Sequence, residues 1–166
     1  TLGGNSGNDC WGWTDPSSGK EYALMGLNTG TSFIDISDLE FPRIVGFLPT
    51  HTTNSSWRDI KTYGNYAFIV SEASGHGMQV FDLTKLGEIA AGVSPVNFTE
   101  DAHYDGFGDA HNIVINDTQG YAYAVGTNTY NGGPHFVDIS NPLNPTAAGG
   151  YGEDAYSHDA QVVTYN

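Results

Sequence analysis

Gly133-Pro134-His135-Phe136-Val137-Asp138-Ile139-Ser140 decides how this chain is read, because two earlier stretches repeat its pattern. Gly30-Thr31-Ser32-Phe33-Ile34-Asp35-Ile36-Ser37 and Gly77-Met78-Gln79-Val80-Phe81-Asp82-Leu83-Thr84 share one order: glycine, two variable positions, two large apolar residues, aspartate, an aliphatic residue and a hydroxyl. A tyrosine-alanine block precedes each copy: Glu21-Tyr22-Ala23-Leu24-Met25-Gly26, Asn65-Tyr66-Ala67-Phe68-Ile69-Val70 and Gly120-Tyr121-Ala122-Tyr123-Ala124-Val125. Both blocks recur about every 50 residues and have the length and composition of short strands. A lone strand pair cannot bury its apolar faces, so copies must stack. The expected fold is all-β, a β-propeller of four-stranded antiparallel blades.

Outward from these blocks, turn residues mark the remaining strands. In the first round, residues 10–13, 21–26, 32–36 and 43–48 are separated by Asp15-Pro16, Asn28-Thr29-Gly30 and the run from Ser37 to Pro42, giving a four-stranded meander. The second round opens at Trp57-Arg58-Asp59-Ile60-Lys61 and continues through residues 66–71 and 78–83. Leu83, Leu86, Ile89 and Ala90 then fall at helical spacing, with Thr84 placed to cap one short inserted helix. Residues 101–109 read as a loop. The third round runs from His111 through residues 121–125 and 135–140 to a weak strand near 146–151, and His158 to Val163 starts another. The repeats thus occupy about 9–50, 57–100 and 110–152, with the first strand of a fourth blade at 158–166. Rings of four to eight blades remove exposed sheet edges, so the chain reads as part of a longer polypeptide that supplies the other blades.

Five Lys and Arg against 19 Asp and Glu give a net charge of −14, which disfavours nucleic acid and anionic membrane surfaces as partners. No apolar run approaches the ~20 residues that span a bilayer. Cys10 is the one cysteine. It is either a buried thiol or pairs with a residue in further sequence. Asn54, Asn97 and Asn116 head N-glycosylation sequons, which would be used if the chain is exported from a eukaryotic cell.

The Gly-x-x-apolar-apolar-Asp-apolar-Ser block resembles the LVIVD repeat. Cys10-Trp11-Gly12-Trp13-Thr14-Asp15-Pro16, Ser56-Trp57-Arg58-Asp59-Ile60-Lys61, the run from Ser71 to Leu83 and Asp109-Ala110-His111-Asn112-Ile113-Val114 resemble the choice-of-anchor B family. The resemblance covers the chain from about Asp9 onward. It implies an exported or cell-surface β-propeller whose anchor lies in a separate C-terminal segment, and it carries over no catalytic residues.

The repeated Asp35, Asp82 and Asp138 end a strand before a hydroxyl residue, where a carboxylate accepts backbone N–H groups of the next turn. Tyr22, Tyr66 and Tyr121 suit packing between blades. Candidate function sits instead at the strand starts. Aligning the rounds places Asp9-Cys10, Arg58-Asp59, His111-Asn112 and His158-Asp159 together at one end of the propeller axis. Asp59, His111 and His158 are the candidate ligands of a divalent cation there, since imidazole and carboxylate suit zinc, manganese, iron or nickel. Arg58, Glu72, His76, His103, Asn112, His135 and Asp159 are expected on the same face, with His51 nearby. The competing reading is that these polar groups only hydrogen-bond one another. No His-Glu-x-x-His, Gly-x-Ser-x-Gly or phosphate loop occurs. Two functions follow: a binding or scaffold module with a protein or glycan partner or self-assembly, or a metal-dependent hydrolase or lyase using the axial histidines. No cofactor beyond a cation is expected.

Overall fold

The computed structural model describes residues 5–154 and 156–165. It is all-β, built from three sheets that each begin as a four-stranded antiparallel meander. The first sheet comprises β1 (Gly7–Thr14), β2 (Glu21–Leu27), β3 (Gly30–Asp35) and β4 (Arg43–Pro49). In the second, β5 (Arg58–Tyr63), β6 (Tyr66–Ser71) and β7 (Met78–Asp82) precede β9 (Ala102–Tyr104). The third holds β10 (Asn112–Asn116), β11 (Tyr121–Val125), β12 (His135–Asp138) and β13 (Thr146–Gly150). The Tyr-Ala block forms the second strand of each sheet and the Gly-to-Asp block the third. The aspartates work in the turns that follow: Asp35 accepts from the backbone N–H of Ser37 at 3.1 Å, Asp82 from Thr84 at 3.0 Å and Asp138 from Ser140 at 2.9 Å.

Two cores lie between the sheets. Trp13, Tyr22, Leu24, Phe33, Val45 and Leu48 of the first sheet pack against Ile60, Ala67, Ile69 and Phe81 of the second. Phe68, Val70, Met78 and Val80, on the opposite face of that second sheet, pack against Ile113, Ala122, Ala124 and Val137 of the third. Alternate residues of β6 therefore serve different cores, which is why its sequence is a continuous apolar run rather than an alternating one. The first strands pack side by side, β1 and β10 each against β5. This is a propeller-like arrangement with β1, β5 and β10 innermost.

Several elements depart from expectation. The antiparallel rule fails once: β8 (Val96–Asn97) pairs parallel to the outer edge of β4, making a fifth strand. Phe98 follows it, donates its N–H to Phe47 O at 2.8 Å and packs edge-on to Phe33, so the excursion covers an otherwise open sheet edge. The fourth strand of the second sheet, β9, lies inside the stretch read as a loop and past the expected repeat end at 100; three residues are too short for an alternation signal. The inserted helix is a 3-10 turn over Leu83–Glu88, and Asp82 caps it instead of Thr84. Residues 158–163 form no strand. They have no second strand of their own sheet to pair with among the described residues. Cys10 is exposed. Among the described residues no helix is long and apolar enough to cross a membrane.

Candidate functional site

Strand pairing corrects the alignment on which the candidate site rests. Cys10 lies opposite Met25, Ile60 opposite Ile69 and Ile113 opposite Ala124, each partner three residues past the repeated tyrosine. Asp9, Asp59 and Asn112 are therefore equivalent, and Asn8, Arg58 and His111 precede them; the first round starts one residue earlier than expected. These side chains stitch neighbouring sheets together. Asp9 accepts from the Ile60 N–H at 3.0 Å, and Asp59 accepts from the Ile113 N–H at 2.8 Å. Asn8 donates to Arg58 O at 2.6 Å, and Asn112 to His158 O at 2.8 Å. Asp59 also accepts from its neighbour Ile60 N–H at 2.9 Å and pairs with Lys61. Its carboxylate is spent on the fold, so the expected trio of Asp59, His111 and His158 does not form. Burial, followed by the Asp59 hydrogen bond and charge, pushes the Asp9 carboxyl up to about 6, with Lys61 opposing.

Beneath the loop from Glu72 to Gly77 lies a buried polar group. Arg58 is fully buried and donates to Leu27 O at 3.0 Å, Thr50 Oγ1 at 2.9 Å and His76 Nε2 at 2.9 Å. His76 in turn donates from Nδ1 to Gly77 O at 3.0 Å, the tautomer that leaves Nε2 free to accept from Arg58. Burial lowers Arg58 to about 10, and burial first and then the Arg58 charge lower His76 to about 4, so this histidine is neutral. His103, on β9, donates to His76 O at 2.7 Å. His51 donates to Glu100 at 2.7 Å and stacks on His103 with 3.7 Å between ring centres and 11° between planes. His135 is buried in the third sheet between Tyr104 Oη at 2.8 Å and Thr129 Oγ1 at 2.9 Å. Arg58, His76 and His135 are internal polar structure, as buried polar atoms must be.

One part of the face remains open. The His111 and His158 rings lie 4.1 Å apart with planes tilted by 58°. His111 donates from Nδ1 to Glu72 at 2.6 Å. Its side chain is 12 % exposed and that of Glu72 35 %. The Trp57 ring is 5.8 Å from His111, and Trp57 and Tyr156 are each about half exposed. Asp109 is held above its ordinary value by burial and then by the Glu72 charge, and Tyr156 by burial and then by both carboxylates. Gly126 makes the approach possible: at φ 62° a Cβ there would meet His111 Cβ at 2.7 Å and Tyr156 Oη at 2.6 Å. Asp159 accepts from Ala160 N–H at 2.8 Å. Trp57 and Tyr156 were missed because only the folded chain sets them beside His111. Among the described residues no group of three or more His, Cys, Asp or Glu is placed to hold a metal ion together.

The LVIVD repeat model matches residues 56–75 and 107–152, the opening hairpin of the second sheet and the whole of the third. These two stretches are thus similar to LVIVD repeats, and they lie on propeller-like antiparallel sheets. No curated protein sequence matches it.

Proposed function

We propose that the chain is part of an exported propeller-type binding module that works through the face bearing Trp57, Glu72, His111, Tyr156 and His158. The observation that carries this is a contrast in how polar groups are used. Asn8, Asp9, Arg58, Asp59, His76 and His135 are committed to bonds within the fold, whereas the Glu72–His111–His158 row opens to solvent between two exposed aromatic rings. Exposed aromatics beside hydrogen-bonding groups suit a ligand with both a flat apolar face and polar edges, such as a neutral or amino saccharide or a peptide. A net charge of −14 opposes anionic ligands. Export agrees with this acidity and with sequons at exposed Asn54 and Asn97, whereas buried Asn116 is engaged in its own turn. Glycosylation is proposed at the first two only.

Further blades complete the ring in this reading. Val114, Tyr123 and Phe136 on the outer face of the third sheet are half-buried and line a cavity of about 310 Å³. Their counterparts Phe68 and Val80 on the second sheet are fully buried against the next sheet.

The hydrolase or lyase alternative calls for three protein ligands with an open position, whereas Asp59 is bonded to the Ile113 N–H and paired with Lys61. The test is retention of the chain on immobilised neutral and amino oligosaccharides and on a peptide library. The Trp57→Ala and His111→Ala double variant should lose any signal while keeping the parent melting temperature. Equal retention by parent and variant would refute the reading.

A further inference from the structure

We infer that His111 and His158 form a two-imidazole site for one divalent ion of the zinc, nickel and copper class, with Glu72 holding His111 in place. The inference rests on the same face as the binding reading above and adds what that face takes up. The geometry begins with Glu72. By accepting the Nδ1 proton at 2.6 Å it fixes the tautomer of His111 and leaves the Nε2 lone pair unspent. A carboxylate behind an imidazole is the arrangement that orients metal-bound histidines and raises their basicity.

The second imidazole is within reach. A 4.1 Å ring separation is slightly closer than two imidazoles sharing an ion at bond lengths of about 2 Å would adopt. His158 can open that gap by side-chain rotation alone, because it is exposed while its backbone is held by Asn112. With the ring planes tilted by 58°, rotation of the His158 side chain can aim both lone pairs at one point. The other imidazole pair in the molecule supplies the contrast: His51 and His103 are stacked within 11° of parallel, so their lone pairs lie in parallel planes and cannot meet on one ion. His51 is also bound to Glu100, and His103 to His76 O.

Chemistry selects the ion. Neutral imidazole suits zinc, nickel and copper, whereas calcium and magnesium take oxygen donors. The Glu72 carboxylate against His111 adds a negative charge that favours any cation. Two protein ligands leave the remaining positions to water or to groups of a bound ligand.

The test is titration of the tag-free 166-residue chain with Zn²⁺, Ni²⁺ and Cu²⁺ by calorimetry, with tryptophan fluorescence read in parallel. One ion per chain should bind. Cu²⁺ and Ni²⁺ should quench Trp57, which lies 5.8 Å from His111, while Zn²⁺ should not quench it. His111→Ala and His158→Ala should each weaken binding by an order of magnitude or more. Glu72→Gln should weaken it about 10-fold, and His51→Ala should leave it unchanged. Trp57→Phe should remove the quenching and keep the calorimetric binding. No binding by the parent chain, parent-like binding by His158→Ala, or loss in His51→Ala would each overturn the site. If the metal site fails while Trp57→Ala with His111→Ala still abolishes saccharide or peptide retention, the binding module stands and only the ion is refuted.

Discussion

Replacing Asp9 by asparagine should stabilise the chain at neutral pH and steepen its loss of stability in acid. Asp9 accepts from Ile60 N–H at 3.0 Å, a bond an asparagine carbonyl keeps, but it sits against Asp59 and carries a carboxyl pushed from 3.8 up to about 6. A group with a raised folded value takes up a proton on folding. Its contribution is therefore most favourable at low pH and declines as pH rises from about 4 to about 6, leaving a constant penalty at pH 7. A shift of that size corresponds to at most about 3 kcal/mol. Asp9 is only half-buried, so solvent screening brings the expected gain from Asp9→Asn to about 1 kcal/mol.

His76 acts in the opposite sense. It is fully buried, and its value falls from 6.5 to about 4, so its stabilisation is complete above 6.5 and is lost as pH falls toward 4. The two slopes oppose each other between about pH 4 and 6 in the parent chain, and the variant retains only the His76 slope. Urea denaturation followed by tryptophan fluorescence between pH 4.5 and 7.5 measures both effects. A variant less stable than the parent at pH 7.5, or one with the parent's slope below pH 6, would show that burial beside Asp59 does not raise the Asp9 carboxyl in the folded chain.

Arg58→Met should cost about 3 kcal/mol or more in thermal or urea melts, because Leu27 O, Thr50 and His76 lose their shared donor inside the core. Arg58→Lys should recover only part of that, since an ammonium cannot span three such acceptors in a planar fork. Asp82→Ala should cost about 1 kcal/mol by removing the cap of the 3-10 turn, and Asp82→Asn should restore most of it. Gly126→Ala should displace His111 or Tyr156 and reduce metal-dependent quenching of Trp57, because the added Cβ falls at 2.7 Å from His111 Cβ; unchanged quenching would contradict the described packing.

Local chemistry made much of this fold legible in the sequence. Repeated apolar blocks bounded by Asn, Gly, Pro and Ser located the strands of the three meanders except β9, and the repeated aspartates announced their turn bonds, because both signals act within a few residues. His111 meets Glu72 at 2.6 Å and His158 at 4.1 Å between ring centres because the folded chain brings the loop after β6 and the segment after β13 to the start of β10. Tertiary structure alone decided what those polar groups do. Asp59 belongs to the fold rather than to an ion because the β10 backbone presents the Ile113 N–H 2.8 Å from its carboxylate. Arg58 is interior because the chain near Thr50 and the loop carrying His76 close over it. The parallel β8 and the three-residue β9 arise where an excursion from the second sheet meets the edge of the first and then returns. Contacts of this kind join residues from 8 to 54 positions apart, and their partners are set by how neighbouring sheets twist and pack, which no short-range pattern encodes.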